Sequence, residues 1–89
     1  MNLAASATLA AFPNPVRDAV TFTFEMPEEV GDAHISVANM GGATVAQIAL
    51  SGKKGKVNWE TSGMADGVYL CNLHFNGQKS ATVKVVVMK

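Results

Sequence analysis

The chain has 89 residues, of which 48% are hydrophobic, and its seven basic and seven acidic side chains leave no formal net charge. That length makes one domain, and the balanced charge argues against both nucleic acid, which needs a clustered basic surface, and electrostatic binding to an anionic membrane. A single cysteine excludes an internal disulfide, so burial alone must supply a margin of about 5–10 kcal/mol. No apolar run reaches the roughly 18 residues of a membrane-spanning helix. The opening Met1 to Ala7 has neither a basic segment nor a long apolar core, so it does not read as a secretory leader. The chain reads as a module of a larger protein.

Residues 1–11 form a linker-like lead-in with a first strand available from Thr8 to Phe12. Pro13-Asn14-Pro15 stops that strand, because proline lacks an N–H and biases the preceding residue towards extended geometry. From Asp18 to Met26 the pattern alternates: Val20, Phe22, Phe24 and Met26 face one way, Thr21, Thr23 and Glu25 the other. Pro27 ends it, and residues 28–32 make a turn with Gly31 at positive φ. Ala33 to Asn39 is the next strand, with Ile35 and Val37 inward, and Gly41-Gly42 is a tight turn. In the strand from Thr44 to Leu50, Val45 and Ile48 have opposite parity, which calls for a bulge. Ser51 to Gly55 is an exposed loop tipped by Lys53 and Lys54. Lys56 to Glu60 follows with Val57 and Trp59 inward, Trp59 being the largest core candidate.

Gly63 and Gly67 punctuate a corner, after which Tyr69, Cys71 and Leu73 alternate onto one face of a strand that runs to Phe75. Asn76-Gly77 is a type I′ hairpin signal. The returning strand, Lys79 to Met88, sets Ala81, Val83, Val85 and Val87 on one face and Thr82, Lys84, Val86 and Met88 on the other. The Asp-Gly-x-Tyr-x-Cys stretch from Asp66 to Cys71 resembles the tyrosine corner of immunoglobulin-like sandwiches, in which a tyrosine hydroxyl turns back onto the backbone. The fold class is therefore all-β, an immunoglobulin-like antiparallel β-sandwich of about seven strands, with Trp59, Gly67, Tyr69, Cys71 and Leu73 as its structural core.

Reactive constellations do not assemble. His34 and His74 lie in separate strands without ligand spacing and read as surface residues. Glu28 and Glu29 read as a solvated pair, and Cys71 as a buried, inert thiol. No glycine-rich phosphate loop precedes a helix. No catalytic, cofactor or metal set emerges, and the chain reads as non-enzymatic. Two other readings stay open: a structural or adhesive immunoglobulin-like module, and a carbohydrate-binding module that stacks sugar on an exposed Trp59.

Four motifs in order resemble the C-terminal sorting domain of the type IX secretion system. Phe12-Pro13-Asn14-Pro15-Val16 is similar to the family's aromatic-Pro-Asn-Pro opening. The stretch from Asn39 to Val45 resembles its Asp-x-x-Gly-Arg-x-Val segment, with Asn39 in place of Asp, Ala43 in place of Arg, and the turn glycine Gly42 kept. Trp59 to Tyr69 resembles its Trp…Gly-Leu-x-x-Gly-x-Tyr segment, and Gly77-Gln78-Lys79 leads into a valine-rich strand ending in lysine, like the family's end. The resemblance spans about residues 8 to 89 and puts the sorting domain at residues 12–89.

That resemblance implies an address that directs a cargo protein across the outer membrane. The translocon would recognise the C-terminal part: Gly77, Lys79, Ala81, Val83, Lys84, Val85, Val86, Val87, Met88 and Lys89. A cell-surface sortase would then cut upstream and join the cargo to anionic lipopolysaccharide; its cysteine, not Cys71, does that chemistry. Some family members keep the domain and serve in the attachment machinery. The implied path is the periplasm in transit, then the outer membrane, cell surface or medium. No cofactor or small-molecule substrate is implied, and strand exchange offers a route to a dimer. Lys79, Lys84 and Lys89 recur every five residues. That odd spacing flips faces, so they are not expected to form one stripe, and Lys84 and Lys89 also read as guards of an exposed β edge.

Overall fold

Alternating apolar and polar residues dominate this chain, and each alternating run becomes a strand. The computed structural model describes residues 7–26, 33–75 and 78–89. The strands are β1 (Thr8–Phe12), β2 (Ala19–Glu25), β3 (Ala33–Asn39), β4 (Thr44–Ala49), β5 (Lys54–Glu60), β6 (Gly67–Phe75) and β7 (Gln78–Val87). They form a three-stranded sheet, β1-β2-β5, and a four-stranded sheet, β4-β3-β6-β7. Every strand pair is antiparallel. The expected turns at residues 28–32 and at Asn76-Gly77 lie outside the described residues.

The core lies between the sheets. Val20, Phe22, Phe24 and Met26 from β2 and its end meet Ile35 and Val37 of β3, Tyr69, Cys71 and Leu73 of β6, and Val85 and Val87 of β7. All are buried, and each large aliphatic or aromatic among them contributes about 1.5–3 kcal/mol by leaving water. The outward residues of β2, Ala19, Thr21, Thr23 and Glu25, are half-buried or exposed, so one face is dry and the other reaches water, as a half-buried strand requires.

Trp59 departs from the expected placement. Its side chain packs against the core and stacks on Phe22 at a centroid distance of 6.3 Å, but it is only half-buried. The reason is topological: β5 is an edge strand of the smaller sheet, so its inner face is covered from one side alone. Strand β5 also starts at Lys54, two residues before the expected Lys56, because Glu25 and Lys54 pair across the ladder. Lys54 therefore belongs to a strand and not to the loop tip.

The bulge expected in β4 is present. Val37 pairs with Ala46 while Ala38 pairs with Thr44, so Val45 is the extra residue and points to solvent. The turn before it is held by Asn39, whose Oδ1 accepts from the N–H groups of Gly41 at 3.0 Å and Ala43 at 3.1 Å. Gly42 takes φ of 93° there, a region glycine enters without a Cβ penalty.

The corner between β5 and β6 is built on two residues. Thr61 is fully buried, its N–H donating to Asp18 O at 2.7 Å and its hydroxyl to Arg17 O at 3.5 Å. Tyr69 donates its hydroxyl to Ala65 O at 2.7 Å, the tyrosine-corner bond, while its ring fills the core. Gly67, at φ of 155°, makes the entry into β6. Replacing Tyr69 with Ala is expected to cost about 3–5 kcal/mol, and Trp59→Ala clearly less, about 2 kcal/mol, because Trp59 is half-buried. Urea denaturation of the two variants checks the order; equal losses would show that Trp59 is as deeply anchored as Tyr69.

Candidate functional site

Strand β7 carries the residues singled out as a recognition segment, and its pleat sorts them. Val85 and Val87 are buried in the core, and Ala81 and Val83 are half-buried on the same face. Lys79, Lys84, Met88 and Lys89 are exposed, and Val86 is half-buried on the outer face. Gly77 lies outside the described residues. Four of these residues therefore turn side chains outward without a bond of their own: Lys79, Lys84, Val86 and Met88.

The lysines do not follow their spacing. Leu73 pairs with Ala81 while His74 pairs with Lys79, so Ser80 is an extra residue in β7. An inserted residue shifts the parity by one. Lys79 and Lys84, five positions apart, thus share the outer face of the four-stranded sheet, contrary to the alternation expected of them. Lys89 leaves the face altogether. Its Nζ donates to Ser62 O at 2.7 Å and also to Met64 O, and its backbone N–H donates to Asp66 Oδ1 at 3.3 Å. It staples the end of β7 to the tyrosine corner.

As the last strand of its sheet, β7 has an outer edge, and the Pro-Asn-Pro segment covers part of it. Asn14 Nδ2 donates to Lys84 O at 2.7 Å, and Asn14 Oδ1 accepts from Val86 N at 2.9 Å. Val16 N donates to Val86 O at 2.8 Å, and Val16 O accepts from Met88 N at 2.9 Å, a parallel bridge. Val16 itself is fully buried. The alternation of β2 and β7 carried no sign of this contact, since 70 residues separate Asn14 from Lys84; the signal was the pair of prolines, which removes backbone donors and leaves the asparagine amide to act.

Cross-strand pairing also joins the two histidines. His34 faces His74, their rings stacked at 4.8 Å and 9° apart, with Ser36 Oγ 3.1 Å from His74 Nε2. Separate strands thus bring together what the sequence keeps 40 positions apart. Burial, then the neighbouring His34 and Lys79, lower the pKa of His74. Among the described residues no group of three or more metal-ligating side chains gathers. Burial also pushes the Cys71 thiol up to about 12, which removes its nucleophilic form at neutral pH. Trp59 turns one face of its ring to Phe22 and stays half-buried, so it is neither the fully buried anchor nor the fully exposed platform that its two readings called for. A shallow concavity of about 210 Å³ lies over β1, β2 and β5, lined by residues including Thr8, Phe24, Glu25 and Lys54, with no residue of β7 in its lining.

His74 is neutral more readily in the fold than in the unfolded chain. Its contribution is therefore complete above the unfolded value near 6.5 and declines as pH falls from there through the lowered folded value. Between about pH 7 and pH 5 the urea midpoint should fall, and His74→Gln, which keeps a hydrogen-bonding group beside Ser36, should fall less. Parallel pH profiles would remove this attribution. Folded Cys71 should resist thiol reagents and react only on unfolding, a time course that a thiol assay follows directly.

Comparison with known proteins gives a family and solved structures of the same fold. The family model described as a secretion system C-terminal sorting domain matches residues 10–88. The crystal structure of dimeric latent PorU from Porphyromonas gingivalis contains a region of the same fold, with a TM-score of 0.71 and 21% identity over 92% of this chain. The chain spans 9% of the length of that protein. No curated protein matches the chain.

Proposed function

We infer the function from one premise: this chain belongs to the family of secretion-system C-terminal sorting domains. The domain is a sorting signal of the type IX secretion system, an address and not a catalyst. On this reading the sorting domain occupies residues 12–89, with residues 1–11 as the join to cargo, their strand β1 docked on β2. The outer-membrane translocon recognises β7, from Gly77 and Lys79 through Lys89. The cargo passes through the periplasm and the outer membrane, and a cell-surface sortase cuts upstream of the domain and transfers the cargo to anionic lipopolysaccharide.

The observation that supports β7 as the recognised element is its construction. It is an edge strand, rich in valine, fastened at its end by Lys89 and along its edge by Asn14 and Val16. An edge strand can take on another strand. Exchange of β7 between two copies offers a dimer by the same pairing, and the solved neighbour is described as dimeric.

A reporter protein fused ahead of residues 1–89 and expressed in a type IX secreting bacterium tests the reading. The wild-type fusion should reach the cell surface or medium. Deleting Val85 to Lys89 removes two buried valines, costs about 3–6 kcal/mol, and should leave cargo in the periplasm. Lys84→Gln should change stability by about half a kcal/mol or less, whereas Lys89→Gln should cost about 1 kcal/mol through the lost staple. Normal export of the folded Lys84→Gln fusion would assign recognition to backbone or shape and not to that side chain. Export of the deletion at the wild-type level would end the reading of β7 as the signal.

A further inference from the structure

The segment before β2 holds β7 as a neighbouring strand would. Val86 turns both backbone groups away from β6: its N–H donates to Asn14 Oδ1 and its C=O accepts from Val16 N. Two residues earlier Lys84 O accepts from Asn14 Nδ2, and two residues later Met88 N donates to Val16 O. These four bonds repeat one unit: a donor to the C=O of residue j and an acceptor for the N–H of residue j + 2, the pattern of a parallel ladder. Val16 meets it with its own peptide groups. Asn14 meets it with its side-chain carboxamide, which has the donor and acceptor of a peptide group.

A side chain has taken the place of a backbone peptide group, between two prolines that have no N–H of their own to give. The cover is superficial at Asn14 and deep at Val16. Phe12, Pro13, Asn14 and Pro15 are all exposed, and only Val16 is buried. The inner side of β7 is secured independently: β6 pairs with it along its length, Val85 and Val87 are buried, and Lys89 is stapled to the corner. The outer edge can therefore change partners while β7 stays in its sheet.

We propose that the edge of β7 from Lys84 to Met88 is a docking surface for an extended segment of the export machinery, which adds in parallel, and that Asn14 is the latch that this segment displaces. The identity of the partner rests on the sorting-signal reading; the acceptor edge does not. The incoming segment needs a backbone N–H where Asn14 supplies its amide, so it has no proline there, and a β-branched aliphatic residue where Val16 enters the core. It makes the bonds that the latch makes, so displacement leaves no edge group unpaired.

The purified 89-residue chain tests the edge. In Asn14→Ala, verified as folded by its thermal melt, amide exchange at Val86 should accelerate about tenfold or more while Tyr69 and Cys71 stay protected. Asn14→Asp, which keeps the acceptor for Val86 N–H but not the donor to Lys84 O, should retain protection at Val86 and gives a folded comparison. A fluorescent peptide copying Phe12 to Asp18 should bind Asn14→Ala about tenfold tighter than wild type. Adding Val86→Pro, which removes the edge-facing N–H and no N–H that pairs with β6, should abolish that binding. Unchanged Val86 exchange in folded Asn14→Ala would overturn the latch, and an exposed edge that binds no peptide would overturn the acceptor. In cells, the Asn14→Ala reporter fusion should be exported at least as fast as wild type; slower export of the folded variant would overturn the machinery as partner. Failure of the wild-type fusion to be exported would instead sink the sorting-signal reading, and the exchange and peptide results would stand apart from it.

Discussion

A sheet edge presents backbone donors and acceptors that need partners, and that requirement shapes this chain most visibly at β7. The strand pairs with β6 on one side, and on the other Asn14 and Val16 satisfy Lys84, Val86 and Met88. This ties the two ends of the chain together. The segment that leaves the three-stranded sheet at Phe12 crosses to the four-stranded sheet by Val16, so one stretch of five residues links both layers. Without a disulfide, that crossing and the interdigitated core are what close the sandwich on this side.

The corner at residues 61–69 closes the other connection. Thr61 reaches back to Arg17 and Asp18, Tyr69 reaches back to Ala65, and Lys89 reaches in from the end of β7. The start of β2, the end of β5, the start of β6 and the end of β7 therefore converge at one pole of the molecule. Fastening by Lys89 and the buried Val85 and Val87 holds β7 in its sheet, while the exposed Asn14 covers its outer edge. The departure of Asn39 from the Asp of the family pattern leaves the turn intact, because an amide oxygen accepts the N–H groups of Gly41 and Ala43 as a carboxylate would.

Much of the fold was legible in the sequence because sandwich strands obey a period of two. Val20, Phe22 and Phe24, or Tyr69, Cys71 and Leu73, declare their inner face without any knowledge of partners. The turn at Gly42 and the tyrosine corner were equally local, since each is decided within about five residues by φ and by one hydrogen bond. The order of motifs identified the family for the same reason: each motif is a local structural necessity at a fixed place in the chain.

What escaped was whatever depended on the neighbouring strand. Trp59 alternates like a core residue, but only the placement of β5 at an edge decides that its ring is half-covered. The lysines of β7 alternate on paper, yet the bulge at Ser80 puts Lys79 and Lys84 on one face, and a bulge is a property of two strands in register and not of one. His34 and His74 became neighbours only when β3 paired with β6. Asn14 looked like part of a strand breaker and proved to be a surrogate peptide group for a strand 70 residues away. The sequence by itself determined the strands, their inner faces, the corner and the family, because these follow from side-chain period and local backbone chemistry. Only the tertiary structure decided the edges, the register and the fastening of β7, because those are set by which backbone groups the sheets leave unpaired and which distant residue comes within about 3 Å of them.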